Sequence, residues 1–422
     1  MRTTVLLAGA GLTYVLCSAA ISSEPNTEPL TLEEVAGLAL EHQPNLDAYA
    51  KASDAAREAA VAESKLPDPQ LKFGVQNVPV NGEGAYRLNR EDMTMVAVGV
   101  MQEIVRQPVR AAAANRMQAE SEQLQAERAA EARRVVRDAK LAWVDAYDAA
   151  KRASLYARMA TELAAERNIA LKRIPSGAAE TRDLFQLDTL LAMTNDKRLA
   201  TENAARKAQA QLSRWLGPSA FRPLSEELPE PRFPETKASP SGEGALIAHP
   251  QLAALRKTED VARFEVERAR AERSPNWSWE LMYGKRQDDR SDLVTLQFAL
   301  PLQWNRANRQ DRRLAEKLAL AARAQGLTRD RERELNAEFA AALADRDTAE
   351  AREREHLERL IPAARARLET ARAGYAAGKL ALATVWEARR GVLDAEMEHW
   401  MIRSDLLRAA LRLEYLLGGQ EQ

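Results

Sequence analysis

The chain of 422 residues contains an internal duplication. Shifting the first half by 201 positions places Gly177 on Gly378, Leu212 on Leu413 and Gly217 on Gly418. Near the end of both copies the apolar residues are spaced by 3, 4 and 3, at Ala205, Ala208, Leu212 and Trp215 and again at Leu406, Ala409, Leu413 and Leu416. This spacing predicts a coiled-coil seam, so each half is expected to end in the same kind of helix.

The composition favours long helices over separate globular units. Charged residues make up 29% of the chain and apolar residues 45%, with only 18 glycines and 18 prolines. The formal net charge of -1 gives no reason to expect a polyanionic partner. Because no basic stripe with interleaved aromatic residues is present, nucleic acid is not an expected partner.

The N-terminus has the features of a secretory signal. Arg2 precedes an apolar run from Val5 to Leu16, and the small residues 18–20 suit a signal peptidase, so residues 1–20 are predicted to be a signal peptide. The alternative is a membrane anchor, which needs about 20 apolar residues. Cys17 is the only cysteine, and the sequence does not decide whether it is lipidated or lost with the signal. Leu16 before it differs from the small residue that lipoprotein processing usually requires.

The remaining chain divides into a first repeat, 21–216, a proline-rich linker, 217–244, and a second repeat, 245–422. In the first repeat a helix is predicted from Leu32 to about Ser64, with Thr31 and Glu34 as its capping box. A rod follows from Arg106 to Ile174, roughly 69 residues and about 100 Å long. A returning helix is expected to end at Leu216.

The second repeat has the same plan. Its rod is predicted from about Arg306 to Ala373, with interruptions at Gly326 and Pro362. Each rod ends in a helical-hairpin tip, formed by Pro175, Ser176, Gly177 and Ala178 in the first repeat and by Gly374 to Gly378 with Lys379 and Leu380 in the second.

Each repeat also contains two runs with a period of two, which predict four strands. Each strand has one apolar face, formed by Leu71, Phe73, Val75, Val96, Val98, Val100, Trp277, Trp279, Leu281, Val294, Leu296 and Phe298. Such faces suit a sheet with lipid on one side and water on the other, and the alternative is a sheet packed on a helical core. Four strands cannot close a barrel, so a barrel in lipid requires several chains.

No motif of enzyme chemistry is present. The segment from Gly374 to Lys379 resembles a phosphate-binding loop, but it has three residues between its glycines and Leu380 in place of Ser or Thr. The four histidines are scattered without ligand spacing and are predicted to be surface or packing residues. We therefore expect a protein that is not an enzyme and that has no cofactor and no bound metal.

These features together resemble the TolC-like outer-membrane efflux proteins. The resemblance rests on the duplication, on the order of helix, strands, rod and returning helix, and on the second tip from Ala371 to Lys379. Gln102-Glu103-Ile104 before the first rod and the segment Leu300 to Arg306 before the second are similar to the heavy-metal branch of the family, the cobalt-zinc-cadmium and copper-silver type.

The resemblance implies a mainly α fold with a small β part. Long coiled-coil hairpins and four strands per chain would assemble as a homotrimer, giving a 12-stranded β-barrel in the outer membrane of a Gram-negative bacterium and an α-helical barrel in the periplasm. It also implies two protein partners: a periplasmic adaptor (membrane fusion) protein at the tips, and an inner-membrane pump of the RND type that supplies the energy.

The resemblance further implies a gate. In relatives a tyrosine beside the second tip and two acids on the returning helix narrow the periplasmic mouth. Tyr375 matches the tyrosine, whereas the acid positions are Thr384 and Glu387, so one carboxylate per chain remains. The alternative is that Glu387 is an ordinary solvated residue.

The expected function is the exit duct of a tripartite efflux system that exports heavy-metal cations. The alternatives are a duct for drugs or for secreted proteins, and a periplasmic coiled-coil adaptor or scaffold without a pore. The sequence does not identify the cargo, the particular pump and adaptor, or the resting state of the gate.

Overall fold

The computed structural model describes residues 28–88, 91–176, 181–233, 246–287 and 289–417. The first half contains α1 (Leu32–Glu41), α2 (Pro44–Glu63), β1 (Gln70–Gln76), β2 (Met95–Ile104), α3 (Gln107–Arg173) and α4 (Thr181–Leu216). The second half contains α5 (Pro250–Ala271), β3 (Trp277–Lys285), β4 (Leu293–Ala299), α6 (Gln310–Glu355), α7 (Ile361–Ala376) and α8 (Leu382–Leu417). The predicted fold class, long helices with four strands, is confirmed.

The first predicted helix is two helices. It begins as predicted, because the Thr31 N–H donates to Glu34 Oε2 at 3.1 Å and the Glu34 N–H donates to Thr31 Oγ1 at 3.4 Å. Pro44 then starts a second helix, since proline has no N–H and its ring disfavours a helical residue before it. Gln43 accordingly has an extended backbone, with φ -109° and ψ 92°. The prediction of one helix from Leu32 to Ser64 was wrong at this point.

The four strands form one antiparallel sheet in chain order. Two rows of paired residues cross it: Leu71, Val100, Leu281 and Leu296, and Phe73, Val98, Tyr283 and Val294. Because successive side chains of a strand point to opposite faces, both rows lie on one face of the sheet. This face is apolar from edge to edge.

The opposite face carries small and polar residues. One of its rows is Lys72, Gly99, Met282 and Thr295. Lys72 forms an ion pair with Glu280 on this face. Gly99 has no room for a side chain, since a Cβ there would lie 2.7 Å from the Leu281 carbonyl oxygen. The two faces of the sheet are thus chemically distinct.

The rods follow the predicted course with one difference. α3 has 67 residues, which corresponds to a length of about 100 Å. α6 runs through Gly326, so the predicted interruption there was wrong; a helical glycine costs only about 1 kcal/mol relative to alanine. At the second predicted interruption a π-turn, His356–Leu360, separates α6 from α7, which has Pro362 in its first turn.

The π-turn coincides with a change in the buried seam of the rod. Ala349 and Ile361 are consecutive buried residues and lie 12 positions apart. A seam with steps of 3 and 4 reaches an equivalent position after 11 residues. A π-turn accommodates one residue more than an α-turn, so it restores the seam to the same side of the rod.

A hydrophobic core lies where the N-terminal segment and the linker meet α3, α4 and α8. Trp143 is fully buried there with Leu30, Leu212 and Leu216. Its Nε1 donates to the Leu30 carbonyl oxygen at 3.1 Å. The described part of the linker, up to residue 233, starts with a 3-10 helix, Gly217–Phe221, and buries Leu228 in this core. Residues 234–244 of the predicted linker lie outside the described residues.

Candidate functional site

The apolar face of the sheet is exposed. All twelve residues predicted for this face lie on it. Eleven of them are exposed, with Phe73, Val294 and Phe298 at 83%, 70% and 67%, and Trp279 is half-buried. Tyr283 extends the same face and is also exposed. A single chain therefore presents to its surroundings an apolar surface that would be unfavourable in water.

The two edges of the sheet are open. β1 and β4 are the outer strands, and within the described part of the chain nothing pairs with their free sides. Unpaired strand edges expose backbone N–H and C=O groups that bind water or another strand. The sheet is thus apolar on one face and incomplete at both edges.

The second tip is a glycine-terminated helix end. Gly378 has φ 70°, its N–H donates to the Tyr375 carbonyl oxygen at 2.9 Å, and the Lys379 N–H donates to the Gly374 carbonyl oxygen at 2.8 Å. These two bonds define a Schellman motif, which satisfies the last carbonyls of α7. The positive φ explains the glycine at position 378.

Leu380 belongs to this turn. Its side chain lies over Gly374, where an added Cβ would meet Leu380 Cδ1 at 2.5 Å. An apolar contact of this kind commonly accompanies the motif. Leu380 therefore contributes to the turn. The Lys379 side chain is exposed and takes no part in the turn.

The first tip is described in part. α3 ends at Arg173 and continues as a 3-10 turn, Ile174–Ser176, which contains Pro175 and Ser176. Gly177 and Ala178, the other predicted tip residues, lie outside the described residues. α4 begins at Thr181 and packs on α3.

The predicted gate residues lie on both sides of the second tip. Tyr375 is half-buried in the last turn of α7, and Thr384 is half-buried in the first turn of α8. Glu387 is exposed one turn further along α8 and lines a groove between α4 and α8. Arg390 lies on the wall of the same groove, so a cation there would meet both a carboxylate and a guanidinium. Tyr375 is not among the described residues that line this groove.

The sequence reasoning missed the apolar character of that groove. Phe185 and Met193 of α4 are exposed at 66% and 59%, and with Thr189 they form one stripe at steps of four. Trp386 of α8 is buried against α3 and α4. The four-residue spacing of residues 185, 189 and 193 could have indicated this stripe. The same spacing is equally typical of residues that pack in a core, so it did not distinguish the two.

His249 is the histidine with the most unusual surroundings. It is 2% exposed, its ring lies edge-on to Tyr415 at 5.0 Å, and its Nδ1 accepts from the Gln251 N–H at 3.3 Å. Burial, together with the nearby charges of Arg133 and Arg331, lowers the pKa of His249 to about 4. This histidine is neutral at pH 7, packs on Tyr415 and caps the start of α5.

Two further properties concern membranes and metals. None of the described helices combines the length and the apolar character needed to cross a membrane. Among the described residues no three histidine, cysteine, aspartate or glutamate side chains are grouped so that they could hold a metal ion.

The comparisons with known proteins agree on one fold for this chain. Residues 243–419 match the family model described as Outer membrane efflux protein. A structure of CusC superposes with a TM-score of 0.77 at 14% identity, covering 92% of each chain. The CmeC outer membrane channel of Campylobacter jejuni gives 0.76 at 13% identity, covering 100% of this chain and 96% of that one. The outer membrane protein VceC of Vibrio cholerae gives 0.72 at 17% identity, covering 92% and 96%.

The chain has the fold of an outer-membrane efflux channel. The family match covers the second repeat of this efflux-channel fold, and the structural likeness extends to the first. The matched family and the similar structures are channels and not enzymes. The sequence search found no matching curated protein.

Proposed function

We propose that three copies of this chain form the exit duct of a tripartite efflux system in the outer membrane of a Gram-negative bacterium. Four strands from each chain would form a barrel of twelve, and the long helices would continue it into the periplasm. The observation that carries this proposal is the exposed apolar face of a sheet that is open at both edges.

The physics of the bilayer supports closure across chains. In lipid each unsatisfied backbone N–H or C=O group costs several kcal/mol, so a spanning sheet has no open edge. Small barrels need about eight strands, twice the four in the described part of this chain. If β4 of one chain pairs with β1 of the next, every edge is satisfied and the apolar faces form one continuous outer band.

The opposite face of the sheet supports an aqueous interior. Lys72 and Glu280 form their ion pair on this face, beside Gly99 and Thr295. Charged groups are stable in a barrel lumen that contains water and are destabilising toward lipid. The sheet therefore has the polarity of a channel wall.

The tips support a joint with other proteins. α7 ends in a compact turn, where the Lys379 side chain is exposed and takes no part in the turn. We infer that the two tips form the rim on which a periplasmic adaptor sits, with an RND-type inner-membrane pump behind it. The duct itself would then be passive.

The cargo is proposed to be heavy-metal cations. The support is the resemblance of Gln102-Glu103-Ile104 and of the segment Leu300 to Arg306 to the heavy-metal branch. A ring of three Glu387 carboxylates at the periplasmic mouth would attract cations, although Arg390 on the same groove wall would weaken that attraction. Drugs or secreted proteins are the alternative cargoes.

Planar-bilayer recordings test the proposal. The purified full chain should insert as a trimer and give stepwise conductance, whereas a coiled-coil scaffold would give none. Complementation of strains that lack their own exit duct separates the cargoes: restored resistance to divalent metals, and not to drugs, supports the metal assignment.

A further inference from the structure

The apolar face continues beyond the paired part of β4. The last paired residue is Ala299, opposite Ser278. After it, Leu300, Leu302 and Trp304 are exposed at 57%, 63% and 88%. Trp304 is the most exposed of the large apolar side chains in the described part of the chain. This exposed indole, beside two exposed leucines, forms an apolar surface that is unfavourable in water.

Arginines follow this segment directly. Arg306, Arg309, Arg312 and Arg313 lie at the start of α6, and the acid among them, Asp311, is engaged by Arg273 at 2.9 Å and by Arg306 at 3.7 Å. The side chains of Arg309, Arg312 and Arg313 are exposed and form no ion pair or hydrogen bond with any described residue. An apolar stripe thus ends in a cluster of positive charge.

The equivalent place in the first repeat is built differently. There Arg106 Nη1 donates to the Ala271 carbonyl oxygen at 3.4 Å, and Arg110 Nη1 donates to the Ser64 carbonyl oxygen at 2.6 Å. Those guanidinium groups hold the junction of strands and helices together. Arg309, Arg312 and Arg313 of the second repeat form no such bond with a described residue and remain available for a ligand.

We propose that Trp304 and the arginines at positions 309, 312 and 313 bind an anionic phospholipid of the periplasmic leaflet. The inference rests on the proposed function, which places the sheet in the membrane. Because β4 runs toward α6, the segment lies at the helical end of the sheet, at the level of the headgroups. Tryptophan is favourable at that level, and guanidinium groups bind phosphate oxygens in a bidentate manner.

The stripe specifies a lipid and not a free phosphate. Leu300 and Leu302 are exposed directly after β4, and Leu302, Trp304, Arg309 and Arg313 line one cleft. An acyl chain can therefore pack along the leucines while its phosphate reaches the arginines. Juxtamembrane arginines attract anionic lipids in the same way.

Tryptophan quenching by brominated lipids tests the site. The full chain is reconstituted in vesicles of phosphatidylethanolamine and phosphatidylglycerol, with the acyl chains of one lipid brominated at a time. Trp304→Phe should reduce the quenching, and the reduction should be larger with brominated phosphatidylglycerol than with brominated phosphatidylethanolamine. The ratio of the two reductions measures the preference of the site for the anionic lipid. The triple variant Arg309→Gln, Arg312→Gln, Arg313→Gln should lower that preference at least about fivefold, the factor expected for one arginine at a membrane surface.

The matched control is Arg323→Gln with Arg329→Gln, exposed arginines further along α6, which should leave the preference unchanged. Added inorganic phosphate should not lower the preference; a drop would show an anion site in place of a lipid site.

The failures are distinguishable. In one failure, Trp304→Phe leaves the quenching unchanged while the double variant Trp277→Phe, Trp279→Phe reduces it. The sheet is then in lipid but the segment contacts a neighbouring chain, and the inference is overturned. If Trp304 is quenched equally by both lipids, the arginines do not bind the headgroup. If no tryptophan is quenched, the membrane position of the sheet fails, and with it the proposed function.

Discussion

The buried His249 should make stability depend on pH. Its pKa in the folded chain is about 4, below the usual value of 6.5, because burial and nearby arginines disfavour the charged ring. The unfolded chain therefore binds more protons between these two values, and stability is lost as the pH falls from about 6.5 to 4. A shift of this size corresponds to roughly 3 kcal/mol.

Thermal unfolding of the detergent-solubilised protein between pH 7.5 and pH 4 measures this loss. His249→Asn should flatten the dependence, because asparagine can still cap α5 at the Gln251 N–H but does not titrate. His42→Asn changes an exposed histidine and should leave the dependence as it is. If both variants behave like the parent, His249 is not the group that couples stability to pH.

At the scale of elements, the strands should not tolerate charge on the apolar face. Val98→Arg or Leu296→Arg would place a guanidinium toward lipid near the middle of the strand, at a cost of about 2 to 4 kcal/mol each. Because the proposed barrel closes only across chains, the loss should appear as a reduced trimer fraction in native gels of membrane extracts.

Thr295→Arg is the matched control for this test. Thr295 neighbours Leu296 but lies on the polar face, so the same charge would face water. Equal trimer levels in Leu296→Arg and Thr295→Arg would contradict the assignment of the two faces.

At the second tip, binding of a partner and stability of the turn can be tested separately on two neighbouring residues. Lys379→Glu should abolish crosslinking to the proposed adaptor without changing the proposed trimer, because the turn does not use this side chain. Leu380→Ala removes the contact with Gly374 and should instead loosen the turn, which limited proteolysis would detect as faster cleavage. Crosslinking that persists in Lys379→Glu would place the rim elsewhere.

The elements that periodicity specifies were predictable, and those that depend on packing were not. Alternation predicted all four strands, and the absence of glycine predicted α3. The sequence predicted an interruption at Pro362. It did not predict the π-turn, which compensates for one extra residue in the spacing of the buried seam, because that spacing is visible only in the packed rod. At Gly326 the packing of α6 on α5 overrides a weak local preference. Likewise, the role of Leu380 follows from a contact within the turn and not from a motif.

At the scale of the whole molecule, the candidate site depends on copies of the chain that a single sequence does not show. The twelve apolar residues could be assigned to one face because β-strands alternate. The gate could be proposed only by resemblance, because a carboxylate on a long charged helix, such as Glu387, has no distinguishing pattern of its own. In the structure Glu387 and Arg390 share one groove wall, which a prediction from charge alone did not anticipate.

The gate is therefore the assignment that single-channel recordings should test. Glu387→Gln removes three carboxylates from the proposed trimer, so the preference for cations and the block by multivalent cations should both decrease, and more at low salt than at high salt. Arg390→Gln should have the opposite effect, because it removes the positive charge on the same wall. Glu358→Gln, an exposed acid on the π-turn, is the control for a general loss of charge.

Tyr375→Ala completes the test of the mouth. Tyr375 is half-buried where α7 ends, and its carbonyl already serves the turn through the backbone, so truncating the side chain should leave the tip folded. If the ring narrows the periplasmic mouth, the open fraction should rise with the ion selectivity unchanged, whereas Glu387→Gln should alter selectivity with the open fraction unchanged. Recordings in which both variants match the parent would show that the constriction is formed by other residues.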